Sequence, residues 1–172
     1  ITQRHAEMGT GADGNCTVSS TTTIDTGSCV GRGNADAVNF RVTSDVATGS
    51  STITVASTPT GLAVGDEVLI INLRDPNNAG AGYYSADDWT NAPLGKYDTS
   101  YITAISGNDI TLHSVTTNFY PAATHNYDVV VQRIPQYGAV AISNGGTLTT
   151  SAFSTSTHKG GVIYFRATGN VT

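Results

Sequence analysis

The side chains best equipped for chemistry or recognition are a pair of cysteines, a set of acidic and amide residues in turn sequences, and a run of aromatics in one irregular stretch. Cys16 and Cys29 are separated by a Ser/Thr-rich stretch that ends in Thr26, Gly27 and Ser28. No Cys-x-x-Cys pair or neighbouring His pair completes a thiolate metal site, so the reading is a disulfide closing a short loop. On the chain-entropy picture such a bridge removes about 3 kcal/mol of unfolded-state freedom, and it implies an oxidising compartment. Asp13 and Asn15, Asp75 and Asn77, and the pair Asp87 and Asp88 offer hard oxygen donors in loops, the ligand type that calcium takes. The bland alternative is that Asx residues in turns bond their own backbone. No other cofactor is indicated. Tyr83, Tyr84, Trp89 and Tyr97 each couple a broad apolar face to a polar tip, which suits a subunit interface or a sugar-stacking platform. They equally suit a loop folded back to cap the domain. Asn15 and Asn170 head Asn-x-Thr sequons that permit glycosylation.

Catalytic constellations are missing. His5, His113, His125 and His158 stand at no ligand spacing and beside no nucleophile motif, so each reads as solvated or turn-capping. There is no Gly-x-Ser-x-Gly, phosphate loop or dinucleotide fingerprint. Asp87 and Asp88 are adjacent and point apart in an extended segment, which defeats paired acid/base work. The expectation is no catalytic residue and no enzyme.

The elements that must carry these groups are strands. Apolar residues make up 38% of the chain and charged ones only 12%, about half the usual share, with Ser, Thr, Gly and Asn in their place. Such composition favours strands over long helices. The net charge is −5 and the basic residues are scattered singly, which gives nucleic acid no electrostatic footing. No apolar run approaches the ~18 residues of a membrane span. The chain opens at Ile1 without an apolar leader, which fits a mature secreted form.

Residues 1–14 read as an extended arm, with Gly9 to Gly14 as its hinge and Ile1, Ala6 and Met8 as apolar plugs. Strands are expected over 16–24, 37–42 and 51–56, then in the apolar run 65–73 and a buried strand at 127–134 stopped by Pro135. Residues 101–105 and 109–113 flank Ser106-Gly107-Asn108 as a hairpin. After Tyr137 the strands shorten and alternate with Asn144-Gly145-Gly146 and Lys159-Gly160-Gly161, the texture of β-solenoid rungs or of a sandwich edge.

The segment Gly61 to Ile70, with its Gly65-Asp66-Glu67-Val68 step, and the hairpin Tyr101 to Leu112 resemble the small β-barrel module of large secreted bacterial adhesin-like surface proteins. Residues 129–135, 144–149 and 160–169 look like the strand and Gly-Gly rung that follow it in that family. The resemblance supplies no catalytic residue. It implies a secreted, cell-surface location.

The fold class expected is thus all-β. A barrel or sandwich over 15–136 follows the arm, and a short-strand extension over 137–172 is solenoid-like or a sandwich edge. The function expected is a structural subunit of an extracellular filament, a homo-polymer built by donating the arm to a neighbour's open sheet edge. The alternative is an adhesin or carbohydrate-binding module with glycans as partners.

Overall fold

The computed structural model describes residues 9–74, 94–114, 116, 118, 120, 122, 123 and 127–172. Among them there are eleven strands and no helix, so the fold is all-β. The arm residues Ile1, Ala6 and Met8, together with His5, Asp75, Asn77, Tyr83, Tyr84, Asp87, Asp88, Trp89 and His125, lie outside the described residues.

The chain divides into two compact units, Ile1–Asn39 with Arg133–Phe153 and Gly160–Thr172, and Phe40–Gln132 with Ser154–Lys159. These limits cut across the boundaries expected at residues 14 and 136, because residues 15–39 group with the short-strand extension.

In the second unit, β3 (Asn39–Arg41), β8 (Asp128–Arg133), β5 (Glu67–Arg74), β6 (Tyr97–Ser106), β7 (Asp109–Leu112) and β4 (Thr52–Thr54) form one sheet in that order. The two end strands meet: Thr43 N–H donates to Thr54 O at 3.0 Å and Ala56 N–H to Arg41 O at 2.9 Å. The sheet therefore curls into a half-barrel whose two ends are joined at the Val42–Val55 bridge. Ile53, Val68, Ile70, Ile102, Ile110, Val129 and Val131, from five of the six strands, are all buried, and β8 is buried at every position. Gly107, with φ of 58°, begins the two-residue turn between β6 and β7 that its sequence foretold.

The first unit is built differently. Here β1 (Gly14–Val18) and β11 (Arg166–Ala167) each run parallel to β9 (Gln136–Ile142), one on either side. Likewise β2 (Thr21–Thr23) runs parallel to β10 (Thr147–Thr149). Segments distant in sequence therefore stack as successive rungs, with β1 passing to β2 and β9 to β10 in the same sense. That is the solenoid-like arrangement the Gly-punctuated strands suggested, but it recruits residues 14–23, which the sequence assigned to the barrel. At Gly146 a Cβ would run into the backbone carbonyl oxygens of Val18 and Ser143, so the close approach of the chain there requires glycine.

The core of this unit is Cys16, Val18, Tyr137 and Val140, with Cys29, Val30, Leu148, Phe165 and Ala167 against it. Cys16 and Cys29 are disulfide-bonded, as their spacing indicated. The stretch read as a hinge is instead pinned. Thr10 N–H donates to Gln136 Oε1 and Asp13 N–H to Gln136 O. Asp13 and Arg133 form a two-pronged ion pair at 2.8 and 2.9 Å, with side chains only 9% and 7% exposed. Burial raises the Asp13 pKa, but the Arg133 hydrogen bonds, the Gln136 N–H and the charges of Arg133 and Arg32 outweigh it and hold the carboxyl below its usual range.

Removing one partner of so enclosed a pair strands the other, so Asp13→Asn should cost about 3 kcal/mol at neutral pH. A lowered folded pKa contributes stability that is complete above the unfolded value of about 3.9 and is lost as pH falls through the folded value. Denaturant unfolding of both proteins between pH 7 and pH 2 should show a gap at pH 7 that narrows in acid. Parallel curves would mean that the pair does not form in solution.

Candidate functional site

Three regions combine exposure with an arrangement that can act on something else. The first is the terminal rung of the stack. Residues 166–172 bond to β9 and to Pro135 before it, with a bend at 168–169 where consecutive N–H groups both donate: Arg166, Thr168, Gly169 and Thr172 N–H donate to Pro135, Tyr137, Gly138 and Val140 O, and Val140 and Ile142 N–H donate to Asn170 and Thr172 O. A strand bonded on one side turns its intervening N–H and C=O groups, here those of Ala167 and Val171, toward the opposite side. The side chains repeat the message. Cys16 is opposite Val140, and Val140 is opposite Val171, so the three form one column along the stack. The first two are fully buried, whereas Val171 is 58% exposed. Ile142, whose N–H bonds Thr172 on the same rung, is 39% exposed. An apolar column thus reaches the surface at the rung whose backbone edge is also open.

The second region is the outer face of β6. In the β5–β6 pairing, Val68 faces Ser100 and Ile70 faces Asp98, while Glu67 faces Tyr101 and Ile71 faces Tyr97. The former pairs share a face with buried Ile102; on the other face Glu67 is buried while the Tyr97 and Tyr101 side chains reach solvent. Tyr97 is 55% and Tyr101 39% exposed. Four residues apart on one strand, their rings are spaced by about 13 Å along its length. Tyr97 was expected from the sequence. Tyr101 was missed because it lay inside an alternating strand, where an aromatic reads as core.

The third region is a charged cluster of the second unit. Asp128, on β8, is wholly buried, yet it accepts from Arg74 Nε through Oδ2 and lies 2.6 Å from His158 Nδ1 through Oδ1. His158 sits in the turn between Ser154 and Lys159, whose ends form an antiparallel bridge. It is the non-glycine residue with a positive φ, 59°, among those described, and its N–H donates to Ser154 O at 2.7 Å. The sequence reading of His158 as merely solvated or turn-capping needs correction, since its partner stands 30 residues away in the chain. No linear spacing could have signalled that pairing.

The remaining tyrosine–carboxylate contacts are structural. Burial, followed by the Asp98 hydrogen bond at 2.7 Å and its charge, pushes the Tyr120 hydroxyl well above its usual range. Burial and the charge of Asp36 do the same to Tyr137. Both hydroxyls therefore stay protonated donors.

The calcium reading loses Asp13, because both its oxygens face the Arg133 guanidinium and one also takes the Gln136 N–H. Asn15 is exposed, but its Oδ1 is held by the Ala139 N–H at 2.9 Å. Asn170, the other sequon residue, is exposed on the terminal rung. Among the described residues no three His, Cys, Asp or Glu side chains converge as metal ligands, and no helix is long and apolar enough to cross a membrane.

No family model and no curated protein matches the chain. Solved structures with some similarity to the chain include three phage tailspikes. The tailspike of Pseudomonas phage LKA1 is 24% identical with a TM-score of 0.41, over 62% of this chain and 18% of that one. The tailspike of Pseudomonas phage phi297 is 15% identical at 0.42, over 90% and 23%. That of Acinetobacter baumannii bacteriophage AP22, solved with a capsular saccharide, is 15% identical at 0.41, over 78% and 21%. This chain therefore spans roughly a fifth of each, and likeness at this level assigns no function.

Proposed function

We propose that the chain is a structural subunit of an extracellular, cell-surface assembly that grows by strand addition at the terminal rung of its parallel stack. The observation that carries this reading is Val171, 58% exposed at the end of a column whose other members, Cys16 and Val140, are fully buried. An extended segment laid along residues 166–172 would pair the outward backbone groups of Ala167 and Val171 while covering Val171 and Ile142. Such addition is head-to-tail and does not close, so it generates filaments. The donor proposed is the arm, residues 1–8, of a neighbouring copy. It carries Ile1, Ala6 and Met8 as alternative plugs, and it joins the described chain at Gly9, where a Cβ would meet Arg166 Cβ at 2.6 Å. The disulfide supports an oxidising, extracellular setting.

Negative-stain microscopy and sedimentation of the full chain, of a version lacking residues 1–8, and of Val171→Lys test this reading. Filaments are expected from the full chain alone. The two altered proteins should stay monomeric with unchanged melting temperature, since Val171 is already exposed. Polymerisation of the arm-deleted chain, or a monodisperse full chain, would sink the reading.

A second reading, a carbohydrate-binding module, draws on the outward pair Tyr97 and Tyr101. Two rings on a rigid strand can stack on non-adjacent sugars of one extended glycan, and each such contact gains from the broad apolar face of the ring. Replacing both residues by Ala should abolish glycan-array binding while leaving assembly intact. Unchanged array signals would remove this reading and leave the first untouched.

A further inference from the structure

We propose that Asp128 and His158 form a proton-accepting dyad that hydrolyses carboxylic esters at the surface of the second unit. The geometry has the parts that a general base requires. Asp128 is wholly buried and its carboxylate is engaged at both oxygens, by Arg74 Nε and by His158 Nδ1 at 2.6 Å. A carboxylate that accepts from the guanidinium on one oxygen accepts from the ring on the other, so the neutral imidazole carries its hydrogen on Nδ1. The lone pair is then on Nε2, and the His158 side chain is 24% exposed. The backbone adds an independent sign. A histidine held at φ of 59° is in the left-handed region, an arrangement that persists only where the surroundings enforce it and that clusters at working sites. The bridge between Ser154 and Lys159, and Lys159 Nζ lying 5.8 Å from the centre of the Phe40 ring, hold that turn in place.

The chemistry that a single oriented base can perform is narrow. Glycosidic cleavage needs a second carboxyl group to protonate the leaving oxygen, and phosphoryl transfer needs a clamp of cations on the transferred group. Among the described residues the carboxyl group beside His158 is Asp128, already engaged at both oxygens, and the neighbouring cations are turned to other partners, Arg74 to Asp128 and Lys159 to the Phe40 ring. Ester hydrolysis asks less. Nε2 takes a proton from water as the water oxygen bonds to the carbonyl carbon, and the carbon–alkoxy bond then breaks. The proton on Nε2 passes to the departing alkoxide, so ester and water become carboxylic acid and alcohol and the imidazole is regenerated. Asp128 does not exchange a proton in this scheme; it holds the ring and its tautomer. The substrate class is an ester with an accessible acyl group, such as an O-acylated hydroxyl on a larger ligand.

The test uses the full chain and 4-nitrophenyl acetate, followed by nitrophenolate release. General-base assistance typically contributes about 10²–10⁴-fold, so His158→Gln is expected to lower the rate at least 100-fold, to that of buffer. Asp128→Asn should also lower it, because an amide can present N–H to Nδ1 and reverse the tautomer. His113→Gln, which alters an exposed histidine, should leave the rate unchanged and so controls for ordinary surface imidazole. Should the His158 variant fail to fold, ethoxycarbonylation of the unaltered protein, mapped by mass spectrometry, gives the same information. Activity should vanish as His158 is modified and return with hydroxylamine. The proposal is overturned by a full chain no faster than an equal concentration of free imidazole, or by turnover that survives loss or modification of His158.

Discussion

The stacked unit depends on the ion pair between Asp13 and Arg133. Drawing a carboxylate and a guanidinium out of water costs several kcal/mol per ion, so the pair persists only if its geometry and remaining hydrogen bonds are good. Here they are. Arg133 Nη1 and Nη2 grip the two oxygens of Asp13, and Nη1 also donates to Asp36 O. The same Asp13 accepts from the Gln136 N–H, while its own N–H donates to Gln136 O, a reciprocal clasp at the start of β9. This clasp sets where β1 begins against β9. Gly14 lies opposite Tyr137, the register shifts by one residue between Gly14 and Cys16, and Cys16 then lies opposite Val140 and faces the core. A slip of one residue would turn Cys16 outward and away from the disulfide, because side chains alternate faces along a strand. The buried charges therefore anchor the start of β1 against β9, while the register beyond the irregularity places both the disulfide and the column that reaches Val171.

How much of this could be read in advance depends on whether the signal was local. The hairpin at Gly107 and Asn108, the apolar run that became β5 and the buried strand β8 are written in short-range alternation and turn chemistry, and they appear where expected. The disulfide was legible because two cysteines with no competing ligands leave few options. Partnership between distant segments was not legible. Nothing in residues 14–18 indicates that their neighbour is 136–142 rather than the next strand along, since period-two alternation tells which face a residue takes and not which strand it meets. The same limit hid His158. Its partner Asp128 sits within a strand buried at every position, where a lone carboxylate looked like the strand's polar start. Asp13 was misjudged for a related reason. Beside glycines and an asparagine it had the texture of a calcium turn, and only the fold brought a guanidinium to it.

The two units manage their strand edges in opposite ways. In the second unit, hydrogen bonds between residues 41–43 and 54–56 join the end strands of the sheet, so the backbone groups of those two edges are paired there. A parallel stack cannot close on itself. Each rung is completed by the next, and the inward residues of each rung are buried only when another covers them. At the terminal rung the outward groups of Ala167 and Val171 and the exposed faces of Val171 and Ile142 coincide, so backbone pairing and apolar burial there ask for the same thing. One extended segment satisfies both at once, whereas a globular partner would cover the side chains and leave the backbone edge to water. That coincidence is what supports the proposal of strand addition.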